Sequence, residues 1–211
     1  MAIINTLLFG FFSAVIGILP PGLINMTAAK VDIKEGKRAA LWFVIGAVIV
    51  IFFQVYLALL FAQFIDERPQ VLVLLREMGC LVFTILTIYF LGIAKTTQKG
   101  KDKIKKQRIS TRFFLGMLLS ALNFFPIPYY VVVSLSLASY GWFTFESLSV
   151  MVFVVGVILG SFLVFYGYIS FFGKIERKTD FFTQNINKII GCITGVIALI
   201  TFFNIVEYYL E

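Results

Sequence analysis

The sequence lacks histidine altogether, and it holds only two cysteines and few charged residues. Charged residues make up 14% of the 211 residues, against about 25% in ordinary soluble domains. With no histidine and two cysteines, the usual ligands of a metal site are missing, so we expect no metal and no cofactor. No phosphate-binding loop, ATPase motif or catalytic triad is present, so the sequence predicts neither an enzyme nor an ATP-driven pump.

Apolar residues make up 60% of the chain and gather in long runs with almost no charge. A helix needs about 20 such residues to cross a bilayer. Six runs have about that length: Ile3–Leu19, Ala39–Phe64, Val71–Ala94, Phe113–Tyr140, Leu148–Gly173 and Ile189–Tyr209. We therefore predict an all-α integral membrane protein with six transmembrane helices in the lipid bilayer.

The net charge of +7 comes from basic residues confined to alternate connections. Residues 29–38, 95–112 and 173–188 together hold 16 of the 18 lysines and arginines. Loops rich in Lys and Arg stay on the cytoplasmic side of a membrane. The pattern predicts a multi-pass protein of the cell (inner) membrane, with both termini outside and these three loops in the cytoplasm. Retention of the loops explains the charge better than nucleic-acid binding, so we expect no nucleic-acid partner.

The two halves of the chain resemble each other in sequence. Matched positions recur at offsets of 106, 110 and 112 residues: Gly10 with Gly116, residues 43–56 with residues 153–166, and Cys80 with Cys192. The growing offset is what small loop insertions would produce.

This similarity predicts a first three-helix repeat in residues 1–94, a basic cytoplasmic linker in residues 95–112 and a second repeat in residues 113–211. Three spans cross the membrane an odd number of times, so the second repeat must be inverted relative to the first. Inverted repeats are typical of secondary transporters, which bind their substrate where the repeats meet.

Each half also breaks its first helix with prolines. Residues 17–28 read GILPPGLINMTA, and residues 116–130 read GMLLSALNFFPIPYY. Because proline has no N–H, we expect four carbonyls to lose their helical partners, those of Ile16, Gly17, Leu122 and Phe124. Unpaired carbonyls are costly in lipid, so both breaks should point inward, towards each other. The alternative is that the prolines are simple kinks in the first and fourth helices.

The predicted substrate site lies between these two breaks. A half-helix that starts near Pro21 offers free N–H groups to a carboxylate, and freed carbonyls suit an ammonium group. Amide side chains can serve either group. We predict a site for an amino-acid-like zwitterion formed by Gly17, Pro20, Pro21, Gly22, Asn25, Gln54, Asn123, Pro126, Pro128 and Tyr129.

Two alternatives rest on other residues. Cys80 and Cys192 occupy matched positions, so a transmembrane thiol–disulfide carrier is an alternative to a transporter of small molecules. Neither cysteine lies in a CxxC motif or at a proline break. Gly156 and Gly160 form a GxxxG motif, which is typical of close helix packing and equally of a dimer face, so a homodimer is an alternative. A passive pore or a membrane scaffold is a third reading of the whole chain.

At the breaks the chain resembles the lysine exporter (LysE) family of amino-acid translocators. That family breaks its first helix at a proline-glycine-proline motif followed by Asp or Asn. A basic, glycine-containing stretch opens its second helix, and an Asn-Pro appears in the fourth. The counterparts here are Pro20-Pro21-Gly22-Leu23 with Asn25, Gly36-Lys37-Arg38-Ala39-Ala40-Leu41, and Asn123 with Pro126.

The chain departs from the family pattern at two places. Leu23 replaces the second proline, and no acidic residue follows it. Phe124 and Phe125 separate Asn123 from Pro126, and the lysine that often follows the Asn-Pro is absent. The resemblance implies export of amino acids or similar small metabolites from a bacterial cytoplasm, driven by an ion gradient. The missing acid weighs against a cationic substrate.

Overall fold

The computed structural model describes residues 2–20, 22–68, 77, 80, 81, 84, 85, 87–93, 108–171, 192, 195, 196, 198–203, 205, 206 and 210. These residues form helices and short connections, and the described ranges contain no strand. The helices are α1 (Ala2–Ile18), α2 (Leu23–Glu35), α3 (Lys37–Asp66), a π-helical turn (Tyr89–Ile93), α4 (Ile109–Ala121), α5 (Pro126–Ser139) and α6 (Ser147–Phe171).

Among the described residues, two to four segments can cross a membrane. The helices α3 and α6, of 30 and 25 residues, are each long and apolar enough alone. The pairs α1 with α2 and α4 with α5 also qualify, and they bend by 77° and 59° at their breaks. Within the described residues, this confirms a helical membrane protein. The predicted spans Val71–Ala94 and Ile189–Tyr209 lie largely outside the described residues.

The structure corrects the prediction of a loop at residues 29–38. Helix α2 continues to Glu35, and Gly36 alone separates it from α3. Gly36 has φ +94°, a left-handed conformation that glycine adopts without strain. The lysines in this segment indicated a loop, but Ala28, Ala29 and Val31 bury the opposite face of the same helix. A half-helix that leaves the membrane core can carry charge on its exposed side.

The predicted linker at residues 95–112 also ends earlier than expected, because α4 begins at Ile109. Within this linker the structure describes only residues 108–112. The predicted loop at residues 173–188 lies outside the described residues.

The chain divides into two compact units. The first contains Met1–Phe64 and Lys103–Glu176, and the second contains Ile65–Asp102 and Arg177–Glu211. The first unit holds both helix breaks and all the predicted site residues. In the second unit, a Cβ added to Gly195 would lie 3.2 Å from Cγ2 of Thr87, so the two segments of that unit pack closely there.

Glycines bring α1 and α6 into backbone contact. Lipid tails are as apolar as leucine, so helices in a membrane associate through close packing at small residues. A Cβ at any of three glycines would collide with a carbonyl oxygen of the facing helix: Gly10 with Phe153, Gly156 with Leu7, and Gly160 with Phe11. The GxxxG motif is therefore covered by α1 of the same chain and is not a free dimer face. The homodimer alternative loses this face, and the oligomeric state itself stays untested.

Helices α3 and α4 meet in the same way. A Cβ at Gly46 would collide with the carbonyl oxygen of Phe113, and one at Gly116 would collide with that of Phe43. Phe43 is fully buried in this contact region. The first unit is thus assembled from two glycine-mediated helix pairs, α1 with α6 and α3 with α4.

Candidate functional site

At the first break, side chains take the place of the lost helical hydrogen bonds. Asn25, on the first turn of α2, donates from Nδ2 to the carbonyl oxygens of Ile18 at 2.6 Å and Pro20 at 3.0 Å. Asn25 is buried, with 4% of its surface exposed. The amide therefore caps the end of α1 and fixes the angle at which α2 leaves it. Its Nδ2 group is engaged by the protein rather than free for a ligand.

Tyr168 of α6 completes this cap, although no motif in the sequence singled it out. Its hydroxyl donates to the carbonyl oxygen of Leu19 at 2.6 Å. The carbonyls of Ile18, Leu19 and Pro20 thus each have a side-chain donor. A tyrosine in an apolar helix is common, and only the packing of α2 on α6 shows which one reaches the break.

At the second break, Gln54 of α3 has the same role. Its Nε2 donates to the carbonyl oxygens of Ser120 at 3.1 Å and Asn123 at 2.9 Å. Gln54 is 8% exposed. The structure therefore places Gln54 at the second break, and its predicted contact with substrate stays a prediction.

The prolines of the second break begin a helix rather than kink one. Pro126 is the first residue of α5 and Pro128 lies in its first turn, where a helix leaves its N–H groups unpaired in any case. The carbonyl oxygen of Phe124 accepts a hydrogen bond from the N–H of Ile127 at 3.2 Å. The expectation of a free carbonyl at Phe124 was therefore wrong, because the chain closes a turn before the helix starts.

Tyr129 joins the two breaks. Its hydroxyl, on α5, donates to the carbonyl oxygen of Ser13 on α1 at 2.8 Å. A Cβ at Gly17 would lie 2.8 Å from Cε1 of the same ring, so glycine leaves the space that the ring occupies. The segment after the second break thus rests directly on the segment before the first.

Three buried polar atoms have no hydrogen-bond partner within the described part of the chain. They are Oε1 of Gln54, Oγ of Ser120 and Oγ of Ser161. Ser120 and Ser161 are fully buried. Unsatisfied buried polar atoms are rare because each costs about 1–3 kcal/mol. Gln54 Oε1 and Ser120 Oγ belong to residues that contact each other at the second break, so this region has unused hydrogen-bonding capacity.

The predicted site residues fall into three groups. Asn25 and Pro20 meet at the first break, Gln54 and Asn123 meet at the second, and Tyr129 contacts Gly17 between them. Pro20, Gly22 and Pro128 are exposed. Pro21 lies outside the described residues. None of the residues in these three groups carries a charged side chain.

The two cysteines are free thiols in the second unit. The Cys80 thiol lies 3.7 Å from the carbonyl oxygen of Ala198, and Cys192 is exposed. A thiol that donates weakly to a helix carbonyl is typical of a small packing residue. This environment does not favour the thiol–disulfide alternative.

Long apolar helices, with two breaks capped by polar side chains, define a multi-pass membrane protein. A family model for LysE type translocators matches residues 15–203, which is nearly the whole chain. The chain therefore belongs to the LysE type translocator family, which confirms the resemblance in the sequence and makes this protein a membrane transporter. Comparisons with curated proteins and with solved structures found no match.

Proposed function

We propose that this protein exports amino acids or close relatives from the cytoplasm by alternating access between two inverted three-helix repeats. Membership of the LysE type translocator family over residues 15–203 is the observation that carries the transport function. The substrate would bind between the two helix breaks.

The first support for inverted repeats comes from a pair of glycine contacts. Gly10 packs on the backbone of Phe153, and Gly116 packs on that of Phe43. The sequence offsets convert one contact into the other: Gly116 follows Gly10 by 106 residues, and Phe153 follows Phe43 by 110. In each, the first helix of one repeat packs on the second helix of the other, as two-fold related repeats would.

A second pair of contacts follows the same rule. Gly46 packs on Phe113, and Gly156 packs on Leu7. Gly156 follows Gly46 by 110 residues and Phe113 follows Leu7 by 106. Two offsets taken from sequence alone thus relate four backbone contacts, which chance similarity between apolar helices would not produce.

The connections after the half-helices support the repeats as well. Among the described residues, positive φ angles occur at Gly36, which follows α2, and at Gly141, which follows α5. Each half-helix therefore ends at a left-handed glycine before the next long helix begins. The two glycines are 105 residues apart, close to the offset of the breaks.

The polar groups at the breaks fit a zwitterion. Oε1 of Gln54 is a buried acceptor without a protein donor in the described residues, and it suits a substrate ammonium group. At the start of α2, the N-cap residue Gly22 has no side chain to accept from the first N–H groups, which suits a carboxylate. No charged side chain is needed, which favours neutral amino acids over cationic or anionic ones.

The test is efflux from proteoliposomes loaded with a mixture of all amino acids. Mass spectrometry compares the wild type with the Cys80→Ala/Cys192→Ala double variant, with and without a proton gradient. We expect selective, saturable efflux of neutral amino acids that survives the loss of both cysteines. Efflux that disappears with the thiols in a folded variant would support the redox alternative, and unselective, non-saturable leakage would indicate a passive pore.

A further inference from the structure

An ion pair between α2 and α4 is buried in the first unit. Arg112 donates from Nε to Oε2 of Glu35 at 2.8 Å and from Nη2 to Oε1 of Glu35, so the contact is bidentate. The two side chains are 3% and 4% exposed. Arginine and carboxylate in this geometry form the strongest of the ordinary charge-assisted hydrogen bonds.

The pair is separate from the candidate substrate site. Glu35 lies ten residues after Asn25 on α2, about 15 Å along the helix, and Arg112 lies eight residues before Ser120 on α4, about 12 Å along that helix. Both residues therefore belong to the end of the first unit where α2 ends and where α3 and α4 begin. We call this end the Glu35 end.

Burial of both charges requires an explanation beyond stability. Removing two charges from water costs about as much as their attraction returns, so a buried ion pair adds little net stability. Removing one partner is different, because the remaining charge is then buried without compensation. The buried pair and the two separated, hydrated charges therefore differ little in free energy. A contact of this kind can form and separate reversibly.

The pair also connects the two proposed repeats at one end only. Glu35 belongs to the first repeat, and Arg112 is on the first helix of the second. Under the 106-residue offset the counterpart of Arg112 is Thr6, a neutral residue, and the counterparts of Glu35 fall in residues 141–145, which hold no charge. The ionic contact is thus a feature of the Glu35 end, not of the shared repeat.

On the transport function proposed above, we propose that Glu35 and Arg112 form the gate at the cytoplasmic end of the carrier. The structure holds the gate closed. Opening towards the cytoplasm separates α2 from α4 and hydrates both charges, and closing restores the pair. The neighbouring contact of Lys37 Nζ with the Tyr166 hydroxyl, at 2.8 Å, is exposed at the same end and contributes little, because water competes for both groups.

The test measures access to a reporter thiol behind the gate. Ser120 is fully buried, and Ser120→Cys is introduced together with Cys80→Ala and Cys192→Ala. A membrane-impermeant maleimide is applied to inside-out vesicles, which expose the cytoplasmic face, and to spheroplasts, which expose the outer face. We expect Glu35→Gln to raise the cytoplasmic labelling rate by about 10- to 100-fold, because the neutral amide no longer balances the buried charge of Arg112 in the closed conformation.

Two further variants separate gating from structural damage. The charge-swapped Glu35→Arg/Arg112→Glu variant restores the pair and should return the labelling rate to within about threefold of the parent, since the pair's attraction is kept. Tyr166→Phe, which loses only the exposed hydroxyl contact, is the matched control and should label like the parent. If Glu35→Gln does not accumulate in the membrane, Arg112→Lys serves as the test variant, because lysine keeps the charge but cannot make the bidentate contact.

The outcomes are distinct. Faster labelling from the cytoplasmic face alone, reversed by the charge swap, supports the gate. Equal labelling of Glu35→Gln and Tyr166→Phe, or faster labelling from both faces, overturns it. Amino-acid efflux by the wild type is measured separately, and its absence would refute the transport function, whereas efflux with unchanged labelling would refute only the gate.

Discussion

Replacement of Gly116 by alanine tests the glycine contacts on which the helix packing depends. A Cβ at Gly116 would overlap the carbonyl oxygen of Phe43, which is backbone and cannot rotate away as a flexible side chain can. Helices α3 and α4 would have to separate along their contact. Gly167 is the matched control, because it lies in helix α6 and a Cβ there meets nothing within 4 Å.

The expected magnitude follows from three terms. Overpacking costs about 1–3 kcal/mol, and the loss of weak Cα–H···O contacts costs about 0.5–1 kcal/mol. Alanine returns about 0.8–1.0 kcal/mol of helix propensity at either position. Gly116→Ala should therefore be less stable than Gly167→Ala by about 1.5–4 kcal/mol. For a chain of this size that difference corresponds to roughly 3–16 °C in midpoint temperature.

The assay is the fraction of protein that stays monodisperse in detergent after heating, measured by size-exclusion chromatography. Gly10→Ala is predicted to behave like Gly116→Ala, since its Cβ would meet the carbonyl oxygen of Phe153. Midpoint temperatures that are equal for Gly116→Ala and Gly167→Ala would refute the backbone contact between α3 and α4.

Two further predictions concern the breaks. Asn25→Leu removes the donor to the carbonyls of Ile18 and Pro20, and should lower stability by about 1–3 kcal/mol because two hydrogen bonds to partly buried acceptors are lost. Thermal unfolding of the purified variant measures this, and an unchanged midpoint would contradict the capping role. Gly17→Ala displaces the Tyr129 ring, whose Cε1 would lie 2.8 Å from the new Cβ. A ring can shift where a backbone cannot, so the free energy of unfolding should change by less than about 1 kcal/mol. The efflux rate should nevertheless fall about tenfold or more. A large loss of stability with unchanged efflux would show that Gly17 serves packing alone.

The long helices were predictable because they depend on composition and length. The expected spans Ala39–Phe64 and Leu148–Gly173 correspond to α3, Lys37–Asp66, and α6, Ser147–Phe171. The same rule failed at α2, where charged residues indicated a loop. The charged residues of α2 indicate that one face of the helix meets water. They do not indicate that the other face is packed on neighbouring helices.

The break positions were predictable from proline, whereas their chemistry was only partly so. Missing N–H groups indicated where helices stop. Asn25 and Gln54, which the sequence predicted as substrate ligands, contact carbonyls at the breaks. Their partners could not be assigned, because a carbonyl freed in one helix is capped by a side chain from another. The pairing of Glu35 with Arg112 is a tertiary choice for the same reason, since the chain holds 18 basic and 11 acidic residues.

The most direct test of the account is amino-acid efflux by Gln54→Leu compared with Gln63→Leu. Both variants remove one amide from α3, but only Gln54 contacts the carbonyls of Ser120 and Asn123 at the second break. We predict that Gln54→Leu loses at least about tenfold in efflux rate, the equivalent of one substrate hydrogen bond in a buried site, while Gln63→Leu transports like the wild type. Equal efflux by two well-folded variants would show that the substrate does not pass between the breaks.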